Sequence, residues 1–159
     1  MRAALIVVDM LNDFFDRSPV LAMQRSQLVA NTNLLVRSFH SMKLPVYWVR
    51  QEFAPDLHDA FLDMRVNGIS ITMAGTTGCE LLPELDCLPA DYVVVKKRYS
   101  AFFGTDLDDQ LSNIRPEIVV LVGVNTHAPK EAIASMPNPS LNADVPHAGL
   151  RRRSAPRVS

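Results

Sequence analysis

Four apolar runs punctuate the chain, at residues 4–8, 46–49, 92–95 and 118–122. Each is continuous rather than alternating and rich in β-branched residues, the pattern of strands covered on both faces in a parallel sheet. Between the first two runs, Leu28, Leu35, Phe39 and Met42 recur at helical spacing and predict an amphipathic helix. Between the last two, Leu107, Leu111 and Ile114 follow the i, i+4, i+7 rule. Thr105 with Asp108 three residues on has the form of a capping box at that helix's start, Asp standing in for Glu or Gln. Strand–helix–strand alternation with right-handed crossovers predicts an α/β fold.

The stretch 53–88 carries Gly68, Gly75, Gly78 and Pro83 and predicts a long connection with short helical pieces. Connections of that length inside a compact domain are often functional. Composition adds one break in character. Residues 129–159 hold five of the eleven prolines and no aromatic residue. Five Lys/Arg against two Asp/Glu give them a formal charge of +3, whereas eleven against fifteen give residues 1–128 a charge of −4. Pro137 and Pro139 limit any helix beginning near Pro129 to about two turns. The expected organisation is therefore a domain over residues 1–128 and an atypical, poorly ordered tail over 129–159.

A chain of 159 residues with 48% hydrophobic and 21% charged positions has the composition of one soluble globular domain. The net charge of −1 gives no reason to expect nucleic acid or an anionic membrane as partner. The opening apolar run stops at Asp9 without a small-residue cleavage site, which predicts a buried strand rather than a signal peptide. No run approaches the roughly 20 apolar residues of a membrane span. Cys79 and Cys87 form no disulfide framework, so a reducing cytoplasm is the expected compartment. Monomer and homo-oligomer are both left open.

Candidate chemistry collects at the ends of the predicted strands, where ligands bind in open α/β sheets. Asp9 follows the first strand and reads either as a catalytic carboxylate or as a turn aspartate. Lys96 follows the third and reads either as the partner of a neighbouring charge or as a solvated lysine. After the fourth strand, residues 123–128 predict a sharp turn into a helix N-terminus, whose backbone N–H groups suit a developing oxyanion. His127 in that turn is a base or ligand on one reading and a structural turn residue on the other.

Three segments bring these positions into one pattern. Residues 6–15 (Ile-Val-Val-Asp-Met-Leu-Asn-Asp-Phe-Phe), 94–107 around Lys96 and 121–128 (Leu-Val-Gly-Val-Asn-Thr-His-Ala) resemble, in order and spacing, motifs of the isochorismatase-like cysteine hydrolases, which include nicotinamidases. The loop 75–85 is similar to the family's loop before its third strand. The resemblance implies a three-layer α/β/α sandwich with a mainly parallel sheet, and an Asp–Lys–Cys triad acting on a small amide or related C–N or vinyl-ether substrate. Asp9 would then take the thiol proton, Lys96 would orient the charges, and the nucleophile would stand at position 129. The oxyanion turn would comprise Val124, Asn125 and Ala128, with a non-proline cis peptide before Asn125. Phe14, Tyr99, Phe102 and Asn125 would line the substrate pocket, the three aromatic residues reading equally well as core.

At position 129 the chain has proline. Proline offers no nucleophile and no backbone N–H, while suiting the first position of a helix. The resemblance therefore points to a family fold with a broken active site, a pseudoenzyme binding a small-molecule ligand or partner. Nothing after Pro129 resembles the further strands and helices of the family, so the fold is expected to be incomplete there. A shifted reading frame or a damaged gene would account for that loss of pattern. Zinc-binding members use an Asp and several His after the second strand. Here Arg50–His58 supplies one histidine and scattered carboxylates, so neither metal nor cofactor is expected.

Overall fold

The computed structural model describes residues 2–124, and the remaining positions lie outside the description. Four parallel strands, β1 (Ala3–Val8), β2 (Val46–Gln51), β3 (Tyr92–Lys96) and β4 (Ile118–Gly123), pair in the order β3-β2-β1-β4. Val8 lies beside Val49 and Gly123, and Gln51 beside Lys96. The register thus brings the carboxyl ends of all four strands to one rim.

Helices α1 (Asn12–Arg17) and α2 (Pro19–Ser41) cover one face, where Leu5, Val7 and Trp48 pack with Phe14, Phe15, Val36 and Phe39. Helix α4 (Leu107–Ile114) covers the other, its Leu107 and Leu111 packing on Ile6, Tyr47, Val49 and Val94. The result is the expected three-layer α/β/α arrangement. Burial on both faces holds for β1 and most of β2 but not for the outer strands. Tyr92, Val93 and Ile118 are exposed, because an outer strand of the described sheet has a neighbour on one side alone.

The helix expected from the spacing of Leu28, Leu35, Phe39 and Met42 is α2, which starts at Pro19, whose fixed φ suits the first helical position. The Ser18 hydroxyl caps it by accepting the Leu21 N–H at 3.3 Å. Conversely, α4 begins at Leu107, too late for a capping box led by Thr105. The Thr105 hydroxyl instead donates to the Ala101 carbonyl at 2.5 Å and accepts the Leu107 N–H at 3.3 Å. It serves a local turn, a competing use of short hydroxyl side chains.

The connection between β2 and β3 holds the expected short helical pieces, α3 (Leu62–Asn67) and a single 3-10 turn at Thr77–Cys79. It then returns along α2 as a strap over residues 82–91. Asn33 accepts the Asp86 N–H and donates to the Glu84 carbonyl, at 2.9 and 2.8 Å. Asp91 receives the indole N–H of Trp48 and the Leu88 N–H, both at 2.9 Å, and His40 at 2.8 Å. The strap delivers the chain to β3 with Lys96 at the rim.

Candidate active site

At that rim the sheet joins two residues that lie 87 positions apart. Lys96 Nζ donates to Asp9 Oδ2 at 2.6 Å, both side chains being buried. Asp9 takes the left-handed backbone conformation, φ 58°, as the chain leaves β1. Asp tolerates that region better than most residues, and such strain concentrates at functional positions. Burial pushes the Asp9 carboxyl above its ordinary value, while the charge and hydrogen bond of Lys96 and the Gln51 backbone pull against it. The second carboxylate oxygen, Oδ1, is buried without a hydrogen-bond partner among the described residues. A buried acceptor of that kind is a place for an incoming donor.

Contacts run from Lys96 into the neighbouring connections. Lys96 Nζ also donates to the Tyr99 carbonyl at 3.4 Å. The Tyr99 ring stacks on Phe61 with centroids 4.4 Å apart, and Phe61 meets Phe53 edge-on at 5.5 Å. This aromatic ledge includes Tyr99 from the expected set. Phe53 and Phe61 carry no sequence signal, since neither belongs to a periodic element. Phe14 lies in the core between the sheet and α2, and Phe102 packs partly buried beside α4. Residues 77–81 lie against α1. Asn12 donates through its side chain to the Thr77 and Glu80 carbonyls at 2.9 and 3.3 Å, and Leu11 bridges Leu81.

Gly123 ends β4 with φ 129°, and a Cβ there would overlap the Val8 carbonyl oxygen. Glycine lets the fourth strand come this close to the first. The Val124 N–H donates to that same carbonyl at 3.0 Å, so it is engaged within the fold rather than presented to a ligand. Asn125, His127, Ala128 and Pro129, and the peptide bond leading into Asn125, lie outside the described residues.

Neither cysteine is an activated thiol. Burial and the Glu52 carboxylate raise the Cys79 thiol, against the opposing charge of Arg50. It donates to the Thr76 carbonyl at 3.3 Å. Burial and Asp91 raise Cys87, which lies in the strap. After β2, Glu52 is held by Arg50 at 2.8 Å and exposed His58 pairs with Asp56 at 2.6 Å. No cluster of three or more His, Cys, Asp or Glu able to hold a metal ion occurs among the described residues. No helix among the described residues is long and apolar enough to cross a membrane.

The Isochorismatase domain model matches residues 3–134. The chain belongs to the isochorismatase family. Among curated relatives it is 33% identical over 129 residues to a probable inactive nicotinamidase of Arabidopsis thaliana, covering 77% of this chain and 66% of that protein. It is 30% identical over 135 residues to an uncharacterized isochorismatase family protein of Bacillus subtilis, covering 84% and 68% respectively. The chain thus spans about two thirds of the length of the curated relatives it matches. Among solved structures, N-carbamoylsarcosine amidase from Thermoplasma acidophilum superposes with a TM-score of 0.64 at 31% identity, over 77% of this chain and 68% of that one. A pyrazinamidase of Pyrococcus horikoshii in complex with zinc gives 0.63 at 27% identity, over 79% and 72%.

Proposed function

We propose that this chain is a non-catalytic member of a hydrolase family, holding a small amide-like ligand at Asp9 and Lys96 without cleaving it. The observation that carries this reading is the buried Asp9–Lys96 pair with its unpartnered Asp9 oxygen, in a chain with proline at position 129. In a complete Asp–Lys–Cys site, Asp9 would accept the thiol proton and the thiolate would attack the carbonyl. Here Asp9 retains an acceptor for a ligand N–H, and no thiol stands at the matching position to supply electrons to the carbonyl carbon. Loss of one oxyanion donor alone costs about 10²–10³ in rate, and loss of the nucleophile costs more. Likeness to the Arabidopsis protein named as probably inactive agrees with this reading.

Thermal unfolding with and without nicotinamide, run beside an ammonia-release assay, tests the reading. Ligand-dependent stabilisation that Asp9→Ala abolishes, without turnover, is the expected outcome. Turnover sensitive to Asp9→Ala would instead establish a working hydrolase. A second reading, a shifted reading frame from about codon 129, is favoured by the change in proline content and charge at that point. Resequencing the gene through that codon decides it. A frame restoring a cysteine codon supports the shift, and its absence removes it.

A further inference from the structure

The Asp13 carboxylate, on α1, accepts the Thr72 backbone N–H through Oδ2 at 2.6 Å and pairs with Arg17 at 3.7 Å. It also occupies the space above Gly78, where a Cβ would overlap it. One carboxylate on α1 therefore bonds to the β2–β3 connection at Thr72 and lies close against it at Gly78.

Thr72 is an improbable residue to find so placed. It is fully buried, its φ is 51° and its hydroxyl has no hydrogen-bond partner among the described residues. A β-branched side chain in the left-handed region is strained, and a buried unpaired hydroxyl adds to the cost. Such a conformation persists only where its surroundings over-determine it. The bond to Asp13 fixes the amide side of Thr72, and its carbonyl accepts the Phe53 N–H at 2.9 Å. Phe53 in turn accepts the Ala74 N–H and carries the edge-on contact to Phe61. Phe61 stacks on Tyr99, whose carbonyl receives Lys96. Between β2 and Phe53, the Glu52 N–H donates to the Lys96 carbonyl at 3.2 Å.

The geometry points to Asp13 as a positioning residue that, through Thr72 and the Phe53–Phe61–Tyr99 ledge, keeps Lys96 buried against Asp9. This role is independent of the proposed ligand: it concerns access to Lys96, which is read without any ligand present.

The test is acetylation of the full-length chain with a small amine-reactive ester, mapped by mass spectrometry. Exposed Lys43 serves as internal reference and the fluorescence of the single, buried Trp48 reports the core. Asp13→Ala is expected to raise the Lys96 labelling rate about tenfold or more, as loss of a charge-assisted hydrogen bond does to a local opening. Gly78→Ala, which displaces the carboxylate without removing it, should do the same. Asp13→Asn keeps an acceptor for Thr72 and should restore protection to within about threefold. Trp48 emission should be unchanged in the folded variants. Lys96 labelling that stays at the parent rate in both Asp13→Ala and Gly78→Ala overturns the inference. So does labelling that rises only in step with exposure of Trp48, because the effect would then be global unfolding.

Discussion

The most consequential interaction is a single buried ion pair, and its energetics are separable by mutation. Removing one partner of a buried pair leaves the other charge desolvated, at a cost of about 3–5 kcal/mol. Lys96→Met is expected to lower stability by that amount in urea unfolding, and adding Asp9→Asn should recover part of it. A double variant no more stable than Lys96→Met would mean that the two groups do not act as a pair. The raised Asp9 titration predicts a pH signature as well. Between the unfolded value of 3.8 and the higher folded value, the folded state holds the proton more tightly. The Asp9 contribution is fully present below 3.8 and is lost as pH rises through the folded value. Relative to Asp9→Asn, the parent's urea midpoint should therefore fall across that window; a rise would contradict the assignment. Asp9 and Lys96 were legible in sequence because each directly follows a continuous apolar run, and their adjacency across 87 residues was expected from the matching strand ends and the family resemblance. What sequence did not supply is the burial of the pair and the strained backbone at Asp9.

Elements were legible to the extent that they carried a repeating pattern. All four strands announced themselves as apolar runs, and α2 and α4 through their spacing. Helix α1 did not: six residues following an apolar Leu11, with no side-chain cap, are too few to show a period. The strap over residues 82–91 was also opaque, because its anchors are single polar side chains on α2 and β2. Within the strap, Asp91 gathers the most contacts of this kind, satisfying two N–H donors and His40. Asp91→Ala leaves the Trp48 indole and the Leu88 amide without their acceptor. At about 1–3 kcal/mol for a buried group left unpaired, the Trp48 indole sets the loss at about 1–3 kcal/mol, the exposed Leu88 amide adding little, with a change in Trp48 emission in the folded state. A stability within about 0.5 kcal/mol of the parent, the range of ordinary surface changes, would mean the strap is held elsewhere.

For the molecule as a whole, the register matters as much as any one contact: it gathers strand ends from four places in the chain at one rim. The parts of the site that sequence could not supply, Asp13 on Thr72 and Phe61 on Tyr99, depend on a connection that folds back over that rim. The same register has a consequence at the side of the sheet. In the described sheet β4 is an outer strand of six residues without a charged side chain, and its first residue, Ile118, is exposed. Natural edges are commonly blunted by charge, proline or a bulge, and an apolar edge invites pairing with another chain. The purified chain is therefore expected to self-associate as its concentration rises, followed by sedimentation velocity. Ile118→Lys places a charge at an exposed site on that edge and should shift the distribution towards monomer. A parent chain that stays monomeric up to high micromolar concentration would show that this edge is not available for pairing in solution. Association that Ile118→Lys leaves unchanged would assign it to a different surface.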